Sequence, residues 1–70
     1  MSQIGKSLLS ALKLRYTSEI ECAKATLQIY INNSVGIGEH PQHLDEMDKL
    51  IDTISTNQDK LDSLNKIIDN

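Results

Sequence analysis

One stretch interrupts an otherwise continuous helical pattern: Asn32 to His43, NNSVGIGEHPQH. It holds the single Pro, both His and two of the three Gly. Gly36 and Gly38 tolerate positive φ because they lack a Cβ, so the chain can reverse here. Asn32 and Asn33 are poor interior helix residues and good C-terminal caps. Pro41 has no amide hydrogen to lose in a first helical turn, and it disfavours helical geometry at His40. The pattern predicts a helix over about 4–33, a turn over 33–40 and a second helix over about 41–68. Val35 and Ile37 are apolar and fall in the turn. They are expected to fold back over the helix ends; the alternative is an apolar tip that docks on a partner.

Both helices are amphipathic. In the first, Leu9, Leu12, Tyr16, Ile20, Ala23, Leu27 and Tyr30 follow three- and four-residue steps, which places them in one stripe. Leu8, Ile29 and Ile31 widen it. Ser2 or Gln3 is expected to cap the start, and Ala23 and Ala25 are small enough for a close helix approach. In the second, Leu44, Ile51, Gln58 and Asn65 recur every seven residues, as do Met47, Ile54, Leu61 and Ile68. Those two rows read as the seam of a heptad, with Leu50 and Leu64 beside it. The polar Gln58 and Asn65 either fix register within that seam or mark a half that faces water. Asp45, Glu46 and Asp48 favour the positive end of the helix dipole.

Size makes self-association the central expectation. Seventy residues allow one small domain, with two Tyr as its only aromatic side chains. Such a chain buries little of its surface and usually needs a disulfide, a metal or a partner. Cys22 is the only cysteine, so no internal disulfide is available and a free thiol in a reducing, cytoplasmic setting is expected. No run approaches the ~18 apolar residues of a membrane span. The opening MSQIGKSLLSALKLRY has no continuous apolar core and is read as mature helix. The charge is split. Lys6, Lys13, Arg15 and Lys24 make the first half net positive, whereas eight carboxylates make the second half net negative, for −3 in all. The two helices should therefore attract. Basic residues so dispersed are not the footprint of a nucleic-acid binder, and direct nucleic-acid contact is not expected.

Chemistry-bearing residues are few. Glu39, His40 and His43 are the only ligand-like cluster, but zinc sites need about three or four ligands. They are a weak metal candidate that a second chain would have to complete, and the plainer reading makes them helix-start residues. Cys22 has no His beside it to activate a nucleophile. No phosphate-binding loop, dinucleotide fingerprint or serine-nucleophile motif is present. No catalytic residue and no cofactor are assigned, and the chain is read as a non-enzymatic protein.

The run Tyr30-Ile31-Asn32-Asn33-Ser34-Val35-Gly36-Ile37-Gly38-Glu39-His40-Pro41, followed by Glu46-Met47-Asp48-Lys49-Leu50, resembles small helical-hairpin proteins of T4-like tailed phages of marine bacteria. The resemblance is clearest over about residues 24–52. Those proteins often carry Pro before the Val-Gly, where Ser34 stands here, so the entry to the turn is less rigid. The resemblance implies a phage source, a host-cell cytoplasmic setting and the same hairpin plan, and it carries no activity. The expectation is an all-α, antiparallel two-helix hairpin that assembles into an oligomeric bundle, a dimer or higher. Its function would be protein–protein interaction with a further, unnamed protein partner. An accessory role in phage nucleic-acid metabolism is the alternative, and a metal-binding role of the turn is the third reading.

Overall fold

The computed structural model of the chain describes residues 2–32 and 42–69. It is all-helical over those residues: α1 spans Gln3–Asn32 and α2 spans Gln42–Asp69. The two pack side by side as an antiparallel hairpin. The turn readings at Val35, Gly36, Ile37, Gly38, Glu39, His40 and Pro41 lie outside the described residues.

Local chemistry accounts for both helices. Ser2 caps α1: its hydroxyl accepts a hydrogen bond from the Gly5 amide at 3.0 Å, and its carbonyl accepts one from the Lys6 amide at 3.0 Å. This satisfies a first-turn donor that would otherwise have no partner. Asp45 sits in the first turn of α2 and Lys66 in its last, each complementing the helix dipole. The Lys49 ammonium lies 3.3 Å from the Glu46 carboxylate, one turn away, and Lys24 lies 3.7 Å from Glu21. These exposed pairs contribute only about 0.3–0.5 kcal/mol each.

Two side-chain contacts fix the register. The Tyr30 ring stands 5.7 Å from the His43 ring at an interplanar angle of 59°, near the turn. Near the open end, the Lys60 ammonium lies 5.6 Å over the centre of the Tyr16 ring. Among the described residues, Ile20 and Ala23 on α1 and Leu64 on α2 are the buried apolar ones, at 5, 4 and 7 % exposure. Removing a leucine such as Leu64 from water stabilises by roughly 1.5–3 kcal/mol. Asn57 is buried among them at 9 % exposure, and its amide donates to the Thr53 carbonyl at 2.8 Å.

The α1 stripe falls where its spacing puts it: Leu9, Leu12, Tyr16, Leu27 and Tyr30 are half-buried beside the buried Ile20 and Ala23. In α2 the seam within the hairpin is offset by one residue from the expected row. His43, Leu50, Asn57 and Leu64 take it together with Met47, Ile54 and Leu61. Leu44, Ile51 and Gln58 lie exposed on its outer side, Asn65 is half-buried at its edge, and Ile68 is 39 % exposed at its end. The polar residue in the seam is thus Asn57; Gln58 lies outside it and donates to Asp62 at 3.2 Å. The cause is a stripe that slews across the helix. Near the turn its apolar residues are Leu44, Met47, Leu50, Ile51 and Ile54; toward the other end they are Leu61, Leu64, Ile67 and Ile68. A straight helix drifts about 20° per heptad against a strict seven-residue repeat, so the row common to both halves lies between the two.

Candidate interaction surface

Because the helices pair along one seam, the hairpin presents two broad faces. Lys6, Lys13, Lys24 and Ile31 follow one another at seven, eleven and seven residues. Since eighteen residues are five helical turns, they form one row along α1. On α2, Leu44, Ile51, Asp62 and Asp69 repeat the same intervals. Grooves between the helices place the two rows on the same side: Lys6 and Lys13 border one with Ile68, and Ile31 borders another with Leu44 and Ile51. This is the lysine face. The opposite, arginine face carries Leu8, Arg15, Cys22 and Ile29 on α1 and Glu46, Thr53, Lys60 and Ile67 on α2. Its grooves join Tyr16 to Lys60 and Ile67, Cys22 to Thr53, and Tyr30 to Glu46.

The slewing stripe leaves apolar surface at two diagonal corners. On the lysine face, near the turn, Leu27, Ile31, Leu44, Met47 and Ile51 line an open groove flanked by Asp45 and Asp48. On the arginine face, at the far end, Leu9, Leu12, Leu64 and Ile67 line another beside Tyr16 and Lys60. Leu44 is 74 % exposed, and Ile4, Leu8, Leu14, Ile29, Ile31, Ile51 and Ile67 are exposed as well. For a chain this small that is a large apolar surface, of the kind that marks interaction sites.

Chemical sites are sparser. Cys22 is exposed and free, and its carbonyl accepts a bond from the Thr26 hydroxyl at 2.9 Å. Of the proposed metal cluster only His43 is among the described residues, and it faces Tyr30. No group of three or more His, Cys, Asp or Glu side chains is placed to hold a metal ion among the described residues. None of the described helices is long and apolar enough to cross a membrane.

The expected interface residues divide by geometry. Leu9, Leu12, Tyr16, Ile20, Ala23, Leu27, Tyr30, Met47, Ile54 and Leu61 line the seam between α1 and α2, with Ile68 at its edge. Leu44 and Ile51 face outward, and among the described residues nothing covers them. The reading from the sequence missed Asn57 and His43 as seam residues, and it placed Leu50 and Leu64 beside the seam. Summing the apolar positions of α2 by halves reveals the drift that would have found them. The chain matches no known protein family, no curated protein and no solved structure.

Proposed function

We propose that the hairpin is the subunit of a helical-bundle homo-oligomer with an interaction or structural role and no catalytic one. The carrying observation is the imbalance of its apolar surface. Among the described residues, Ile20, Ala23 and Leu64 are the buried apolar ones, whereas nine large apolar side chains stand 39 to 75 % exposed. Two helices can cover one stripe each along a single line, and both stripes here are wider than that line. Stacked hairpins would cover the remainder. The likeness to small phage proteins supports an infected cell as the setting, with a protein partner engaged by the assembled bundle.

Sedimentation at micromolar concentrations tests the reading. The expected result is a species of at least twice the 7.8 kDa chain mass, with a melting temperature that rises with concentration. A folded single chain whose melting ignores concentration overturns it.

A further inference from the structure

We infer that two copies join through their lysine faces with their turns at the same end, giving a closed four-helix bundle in which every neighbouring pair of helices is antiparallel. This rests on the homo-oligomer reading and specifies its interface and orientation.

The two rows of the lysine face match level by level. The Tyr30–His43 and Tyr16–Lys60 contacts set the register of the hairpin. In that register Lys6 is level with Asp69, Lys13 with Asp62, Lys24 with Ile51 and Ile31 with Leu44. Rotation of a second copy by half a turn about the long axis lays α1 of each hairpin on α2 of the other at unchanged level. Lys6 then meets Asp69 of the second copy, Lys13 meets its Asp62, and Ile31 meets its Leu44. The dyad produces each pairing twice, as a self-complementary interface requires. Lys24 comes over Ile51 of the second copy. Its ammonium already turns aside to Glu21 at 3.7 Å, which leaves its stem to cover the isoleucine. Lys6, Lys13, Asp62 and Asp69 are exposed, and among the described residues none of them is in an ion pair.

The alternatives are poorly matched. With turns at opposite ends, Lys13 would face Lys24 of the second copy, while Leu44 and Ile51 would face its Asp69 and Asp62. Stacking through the arginine faces would set Arg15 against Lys60 and Ile29 against Glu46, with only Leu8 and Ile67 well matched. Exposed ion pairs add little affinity, but like charges brought together select strongly against a wrong arrangement. The apolar groove near the turn supplies the attraction, and the charge rows set the orientation. The area suffices: the hairpin measures 53 × 15 Å across its broad side, about the 800 Å² that each partner gives a standard stable interface.

Double-cysteine variants of the full chain in a Cys22→Ser background test the orientation. Under mild oxidation Lys13→Cys/Asp62→Cys should form a covalent dimer, and Lys13→Cys/Lys24→Cys should not. In parallel, Lys6→Glu/Lys13→Glu should weaken self-association at least tenfold in sedimentation. Mixing that chain with Asp62→Lys/Asp69→Lys should restore a dimer, because the mixed pair is complementary at every level. A covalent dimer from Lys13→Cys/Lys24→Cys, or an unmodified dimer that yields neither cross-link, overturns this arrangement and leaves the homo-oligomer standing. An unmodified chain that stays monomeric overturns both.

Discussion

Two polar side chains, Ser2 and Asn57, satisfy hydrogen bonds that bear on the stability of this hairpin. Ser2 satisfies a first-turn amide of α1 through its hydroxyl. Ser2→Ala is expected to lower stability by about 1 kcal/mol, read as a fall in the urea midpoint with unchanged slope. Asn57 stands at the seam, and its amide is satisfied within its own helix by the Thr53 carbonyl at 2.8 Å. A polar residue at such a position costs stability and restricts register. Asn57→Leu should therefore raise the melting temperature, and Asn57→Asp should lower the stability by roughly 1–3 kcal/mol through a buried, poorly solvated charge. The same exchange next door, Gln58→Glu, should change stability by less than about 0.5 kcal/mol because that side chain is in water. Equal effects at the two positions would contradict the seam as described.

At the scale of the helices, the decisive contrast is between leucines of α2. Leu64→Ala should cost about 2–5 kcal/mol through lost burial and a residual cavity. Leu44→Ala should leave the dilute hairpin almost unchanged, because that side chain is already wet; concentration-dependent melting of the two variants separates the cases. The sequence makes α1 easy to read and α2 harder, for a physical reason. The apolar residues of α1 keep one heading from Leu9 to Tyr30, so spacing alone identifies the buried line. Those of α2 change heading near Ile54, and a strict heptad drawn through Leu44 and Ile51 runs one residue outside the seam along Leu44, Ile51 and Gln58. The capping of α1 by Ser2 follows from residue type, whereas the readings of Pro41 and the glycines lie outside the described residues. The matching intervals of the lysine and aspartate rows are present in the sequence, but the contacts of Tyr16 and Tyr30 were needed to set them level. The burial of Asn57 follows from the slew and not from its own chemistry.

At the scale of the whole molecule, few described side chains are buried, so the proposed bundle would add stability that the single hairpin lacks. With α1 net basic and α2 net acidic, the preference for orientation should fade in high salt, whereas apolar attraction persists. The expected outcome is that Lys13→Cys/Asp62→Cys cross-links less selectively at about 1 M salt than at 0.1 M, where the screening length falls from about 10 to 3 Å. The diagonal placement of the two corners also bears on where growth stops. Once lysine faces are closed on each other, each dimer keeps an outward corner at Leu8 and Ile67. Any further layer added there would bring Arg15 of one dimer against Lys60 of the next. That repulsion acts as a sentry, and neutralising it with Arg15→Gln and Lys60→Gln should let the particles thicken into larger stacks, visible as rising light scattering.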